Sequence, residues 1–318
     1  MKKYSSILIM ILVTGFFANA QTSSTRKADK LFAKYEFVKA ADAYQQVINK
    51  GGGNEYVYSQ LAEAYYNVFN SLKAEKWYAK ALETSQDPEM IFKYSQMLKA
   101  NGQYVKSNDQ MAKFASMRPS DDRSLAFLNN PNYLPKILDD GEKFNFYPEN
   151  GGSIGDEFNP APAEFGGTLL ITENDSTLYI SSSRTDIGKK YGWDQNPFLD
   201  IYKSRLVDGL LLEPAPVEEL NTKYHEGLVS FSPDGKTMYF SRESYYDKIF
   251  ERDSLSRNKY SVINLYKSTQ ELGVWSEGDA LSLNNEKYSV KNPAVSPDGK
   301  LLFFASDLSL IHISEPTR

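Results

Sequence analysis

Gly151-Gly152-Ser153-Ile154-Gly155 is the residue string with the most direct chemical meaning, since Gly-x-Ser-x-Gly places a nucleophilic serine on a strained strand-to-helix turn. Its surroundings argue against that chemistry. Pro148 and Asn150 precede it, Asp156-Glu157-Phe158-Asn159-Pro160 follows without helical character, and no later acid and histidine complete a triad. Only two histidines exist, and His225, beside Glu226 ahead of a strand, reads as a loop or packing residue. Too few ligands lie near it for zinc. Asp234 and Asp298 belong to turns, the other acids lack calcium-loop spacing, and no glycine-rich phosphate loop occurs. The chain has no cysteine, which removes disulfides, thiolate nucleophiles and cysteine metal sites. The expectation is no catalytic residue, no metal and no cofactor.

Basic and aromatic residues mingle in Tyr245-Tyr246-Asp247-Lys248-Ile249-Phe250 and in Arg257-Asn258-Lys259-Tyr260. Such a loop either stacks a sugar or is a solvated insertion whose rings pack on its own sheet, and the interleaved acids Glu243, Asp247, Glu251 and Asp253 favour the insertion. The net charge of −5 falls to −7 once Lys2 and Lys3 are removed, and no basic cluster offsets it, so nucleic acid is not an expected partner.

These residues sit on a repeat. Ser232-Pro233-Asp234-Gly235-Lys236 returns as Ser296-Pro297-Asp298-Gly299-Lys300, each followed by an apolar strand. Proline presets its own φ, aspartate bonds the following backbone and glycine takes a positive φ, so Pro233, Asp234, Gly235, Pro297, Asp298 and Gly299 read as structural turn residues. Asp200-Ile201-Tyr202-Lys203-Ser204 matches Asn264-Leu265-Tyr266-Lys267-Ser268, and Leu220-Asn221 matches Leu283-Asn284. A weaker copy, Glu173-Asn174-Asp175-Ser176-Thr177 before Leu178-Tyr179-Ile180-Ser181, makes a third unit. Short runs of Tyr, Phe, Val and Ile between Gly, Pro, Asn and Asp clusters predict antiparallel strands, and their radial repetition predicts an incomplete β-propeller of about three blades over 151–308. Ser244 to Ser261 and Arg184 to Phe198 read as long inter-strand loops.

Before the strands, 21–128 has helical periodicity. Ala40, Tyr44 and Val47 recur as Ala74, Tyr78 and Ala81, then as Ser107, Met111 and Phe114; Leu31, Tyr65 and Leu98 keep register. The period resembles the tetratricopeptide repeat, with Tyr35 and Phe69 at the glycine position that Gly102 fills in the third unit and Pro119 at the terminating proline. The fold expected is thus multidomain, α then β: a tetratricopeptide-type α-solenoid, a linker over 129–150, then the partial propeller. On that register Tyr56, Glu63, Tyr66, Phe92 and Lys99 face the concave side. They either line a groove for a peptide or protein, or their rings pack on a neighbouring domain or on each other.

Residues 1–20 carry two lysines, an apolar stretch from Ile7 to Phe17 and Ala18-Asn19-Ala20, the pattern of a secretory signal peptide. No other stretch approaches a membrane span. Signal, helical repeats and Ser-Pro-Asp-Gly-Lys blades together resemble the OmpA-family cell-envelope proteins of Bacteroidota, whose propellers are WD40-like and TolB-related. The resemblance covers residues 1 to about 308. It implies a non-enzymatic scaffold, periplasmic and outer-membrane-associated, binding envelope proteins, with some relatives serving type IX secretion and gliding. In that family a C-terminal OmpA-like domain binds peptidoglycan, and this sequence holds no counterpart of it. Propeller blades also precede the hydrolase domain of prolyl oligopeptidase-like peptidases, the enzymatic alternative. The third unit stops near Asp307, and 309–318, with His312, follows neither pattern, so the expectation is a chain truncated after Asp307.

Overall fold

A computed structural model describes residues 24–131, 163–172, 175–184, 190–252 and 259–308. The signal-like segment, the Gly151 to Gly155 string, most of 129–150 and the tail with His312 lie outside them. Seven helices come first among the described residues, and antiparallel sheets follow. The chain divides into two compact units, Met1–Phe146 with Gly192–Gln195, and Tyr147–Tyr191 with Asn196–Arg318.

In the helical unit α1 is Arg26–Phe32, α2 Phe37–Asn49, α3 Glu55–Asn67, α4 Ser71–Ala81, α5 Pro88–Ala100, α6 Tyr104–Met117 and α7 Asp122–Asn129. Asn54, Asn70, Asp87 and Asp121 start four of them by accepting a hydrogen bond from a first-turn backbone N–H. The turns α1–α2, α3–α4 and α5–α6 share one conformation, with a left-handed residue at Tyr35 (φ 61°), Phe69 (φ 55°) and Gly102 (φ 74°). All nine residues of the Ala40, Ala74 and Ser107 rows are buried. A small side chain and a ring on the second helix of each pair therefore set how closely the first helix can approach.

One polar contact repeats with them. The Tyr44 hydroxyl donates to Asp29 Oδ1 at 2.7 Å, and 34 residues on the Tyr78 hydroxyl donates to Glu63 Oε1 at 2.9 Å. In the third pair the same places hold Gln96 and Met111, whose side chains keep a longer contact, the Gln96 amide donating to Met111 Sδ at 3.8 Å, and the Ser107 hydroxyl also donates to the Ser95 carbonyl at 2.9 Å. Gly192–Gln195 pack with this unit: the Trp193 indole lies edge-on to Phe37 at 4.7 Å and donates to the Asn67 carbonyl at 2.9 Å.

In the second unit β1 (Glu164–Ile171), β2 (Ser176–Ser182) and β3 (Asp200–Val207) form a sheet extended by β4 (Leu210–Leu211) and β5 (Ala215–Pro216). β6 (Glu226–Phe231), β7 (Thr237–Glu243) and β10 (Ile263–Glu271) form the next, with β11 (Val274–Trp275) and β12 (Asp279–Ala280) on β10. β8 (Glu251–Arg252) pairs with β9 (Lys259–Tyr260), so the predicted long loop contains a hairpin of its own. β13 (Val290–Val295) and β14 (Leu302–Ser306) form the last.

The repeated strings have clear work. Gly235 and Gly299 sit at φ 69° and 70°. Asp234 Oδ1 and Asp298 Oδ1 each accept the N–H two residues on at 3.1 Å, while Ser232 and Ser296 cap the next strand. The weaker copy closes differently. Thr172 takes the serine's place, and its hairpin is two residues shorter, because Ile171 faces Ser176 where Phe231 faces Met238. Asn221 and Asn284 each pair their amide with both backbone groups of one strand residue, Ile201 and Leu265, at 2.7–2.9 Å. They stand in for a neighbouring strand where the ladder ends.

Neighbouring sheets meet through first strands that share a bulge. The bulged residues Gly166 (φ 72°), Leu228 (φ 31°) and Asn292 (φ 55°) recur, and the Leu228 and Asn292 N–H groups donate to Ser181 Oγ and Ser241 Oγ of the preceding sheet at 2.9 and 3.1 Å. At Gly166 the bare backbone makes room for Leu228, whose Cδ2 would lie 1.8 Å from a Cβ there. Asn221→Ala would strand the N–H of buried Ile201, whose carbonyl keeps the Val217 N–H, and we expect urea denaturation to show the sheet unit losing about 1–3 kcal/mol. Ser181→Ala, which removes one acceptor, should cost less.

Candidate functional site

Two concavities stand out, one in each unit. In the helical unit a cleft of about 420 Å³ opens among α5, α6 and α7, lined by Phe92, Gln96, Lys99, Met111, Arg123 and Phe127, among others. The Arg123 guanidinium lies over Phe92 at 4.3 Å and is held by Glu89 and Asp121, both at 2.8 Å. That grip places a cation on an aromatic floor and draws Glu89 and Asp121 below the usual carboxylate range, Asp121 to about 2.

Of the five groove residues read from sequence, Phe92 and Lys99 line this cleft, and Lys99 is exposed. The other three lie elsewhere and make contacts inside the helical unit. Tyr56 donates to Asp29 at 2.9 Å, and burial followed by that carboxylate pushes its phenol up to about 12. Glu63 takes the Tyr78 hydroxyl and the Lys93 ammonium, the latter at 2.7 Å. Tyr66 meets Tyr78 edge-on at 6.2 Å with Lys93 over its ring. Arg123, by contrast, escaped the sequence reading, because α7 falls beyond the third copy of the repeat and no period pointed to it.

The second unit is built around two ion pairs that no sequence pattern announced. Glu226, first residue of β6, faces Arg242 near the end of β7, with Nε to Oε1 at 3.1 Å and both side chains fully buried. Glu164, first residue of β1, pairs in the same way with Arg184. Each guanidinium stacks at 4.9 Å on the tyrosine of the repeated strand, Tyr202 for Arg184 and Tyr266 for Arg242. Thr222 adds two hydrogen bonds to Glu226, and Arg242 also reaches the Leu220 carbonyl. Burial pushes Glu226 up to about 7, against the opposing pull of Thr222 and Arg242.

Beside Glu226 a cavity of about 400 Å³ is lined by Phe165, Leu199, His225, Leu228, Glu243 and Ile263, with Ser241 and Lys291 also at its wall. His225 is anchored, its Nδ1 accepting the Leu199 N–H at 3.0 Å and its ring packed by Tyr191 and Phe198. The aromatics of the β7–β10 insertion are engaged too. Tyr245 stacks on Tyr224, Tyr246 stands edge-on to Tyr266 and donates to Glu277, and Lys259 covers Phe250.

Glu243 is the exception. It is 9% exposed, yet among the described residues its carboxylate makes no hydrogen bond or ion pair, and burial alone pushes it up to about 7 from 4.5. A carboxylic acid that holds its proton to about pH 7 in the folded protein, and only to about 4.5 unfolded, contributes stability fully below 4.5. That contribution is lost as pH rises through 7.

No family model matches the chain, and no curated protein matches it either.

Glu243→Gln should leave stability near its wild-type value at pH 4.5 and raise it by about 2 kcal/mol at pH 8, read from the sheet-unit transition in paired melts. Arg242→Met should cost about 3–5 kcal/mol by leaving Glu226 buried alone, and adding Glu226→Gln should restore most of that loss.

Proposed function

We propose that the protein is a non-enzymatic binding scaffold of the cell envelope. In this reading the helical unit is a tetratricopeptide-type α-solenoid and the sheet unit is part of a WD40-like β-propeller. The arrangement is that of the OmpA-family envelope proteins, with peptidoglycan held by a C-terminal domain beyond this sequence. Export to the periplasm by the 1–20 segment and association with the outer membrane complete the proposal, with type IX secretion or gliding as the machinery served.

The observation that carries the reading is the repeated left-handed turn at Tyr35, Phe69 and Gly102, spaced 34 and 33 residues apart and each joining a helix pair whose facing rows are buried. Stacked helix pairs of that period are interaction surfaces in repeat proteins generally. The bulge and serine link shared by successive sheets supports the propeller part in the same manner. His225 has a packing role and the repeated acids have turn and ion-pair roles, which accounts for them without catalysis.

The cleft at α5–α7 is the surface to test, because the exposed Lys99 ammonium brings positive charge beside the Phe92 ring, the Arg123 charge being already met by Glu89 and Asp121. Its partner in this proposal carries an acidic, aromatic-compatible segment. In cells expressing the tagged full chain, we expect processing after Ala20, recovery in the periplasm, and cross-linked envelope partners that Lys99→Glu with Phe92→Ala reduces about tenfold at unchanged circular dichroism. A cytoplasmic, unprocessed chain would sink the envelope assignment. Partner recovery unaffected by the double variant would move recognition off the helical cleft.

A further inference from the structure

We propose that the cavity at Glu243 is a binding site for an organic cation carried on an apolar stem, a primary ammonium or guanidinium such as a lysine or arginine side chain presented by a partner. The site is separate from the helical cleft and does not depend on the function proposed for it. Strand alternation places Ser241 and Glu243 on one face of β7 and Arg242 on the other, so Arg242 is turned toward Glu226 and the tyrosines. Glu243 is left facing a cavity of about 400 Å³, enough for one long side chain and the backbone that bears it.

The walls suit such a guest. Phe165, Leu199, Leu228 and Ile263 provide apolar surface for a methylene stem, and Ser241 stands two residues from the carboxylate on the same strand. No other acid takes this role: Glu226 is already held by Arg242 and Thr222. Lys291, the one lysine or arginine of the lining, makes no ion pair with Glu243 among the described residues, so the carboxylate is not neutralised from within. A buried carboxylate without a partner opposes folding at neutral pH, and a cation arriving from outside removes that opposition, so the site is destabilised until filled.

The other titratable groups of the cavity lining are His225, Glu226 and Lys291, with Arg242 behind Glu226 on the opposite face of β7. Cation binding requires ionised Glu243, so affinity should rise as pH passes 7, and protonated His225 at low pH would act in the same direction. Comparison with Glu243→Gln separates the two, because His225 remains in that variant.

Titration calorimetry on the full chain at pH 8 would use N-acetyl-lysine methylamide, N-acetyl-arginine methylamide, n-butylammonium and the uncharged N-acetyl-norleucine methylamide. A cationic amide should bind about tenfold or more tightly than the norleucine amide, and Glu243→Gln should remove that preference while melting no lower than the wild type. Cationic amides binding more tightly than n-butylammonium would assign the site to a peptide side chain. Equal binding would assign it to a free amine, with the cation chemistry intact. Neither cationic amide binding more tightly than the norleucine amide, unchanged cation binding by Glu243→Gln, or no binding of any cationic probe would overturn the proposal.

Discussion

The Glu226–Arg242 pair sets the terms for the sheet unit. Neither charge reaches water, so the fold must answer both, and among the described residues it does so for every polar atom of the pair except Arg242 Nη1, which is buried without a hydrogen-bond partner. The guanidinium gathers groups from along the unit: the start of β6, the Leu220 carbonyl, the Glu277 carbonyl and the rings of Phe240, Tyr246 and Tyr266. Because hydrogen bonds are directional and desolvation is costly, few relative placements of those groups bring the pair so many partners. Apolar packing alone would tolerate many. The Glu164–Arg184 pair imposes the same condition one sheet earlier, so the ion pair belongs to the repeat although the letters around it differ.

What was legible in the sequence follows from the range over which each cause acts. Turn chemistry is local, and Pro233-Asp234-Gly235 and its copy specify their own geometry within five residues. The small and aromatic rows of the helices were legible because 34-residue periodicity puts Ala40, Ala74 and Ser107 in equivalent places. The left-handed turn was visible from Gly102 alone; Tyr35 and Phe69 occupy the same backbone region against their intrinsic preference, held there by the helices on either side. Leu-Asn repeats were seen but not understood, since the role of Asn221 depends on where the strand ladder stops.

The sites were harder. Arg184 and Arg242 do not align in the repeat, and their partners are 20 and 16 residues away, so the pairs exist only once the strands are registered. Glu63 was legible as a residue on the correct helix face, but sequence spacing does not say that Tyr78 and Lys93 converge on its oxygens. Glu243 drew notice only as one of several interleaved acids. Its burial comes from walls supplied by β1, β6, β10 and β13, which lie far apart in the chain.

The third helix pair differs from the first two in a way that bears on how its surface can change. In the first two, the tie between helices joins two side chains, Tyr44 to Asp29 and Tyr78 to Glu63, so a substitution at either residue disturbs the other. In the third, Ser107 binds a main-chain carbonyl at Ser95, an acceptor that every residue type carries. The α5 side chains are left with a smaller share in holding the pair together, the long contact of the Gln96 amide with Met111 Sδ at 3.8 Å. Sequence drift along α5, where Phe92 and Lys99 meet the cleft, can proceed without renegotiating the contact that closes the pair, which makes this end of the stack the one best suited to acquiring new partners.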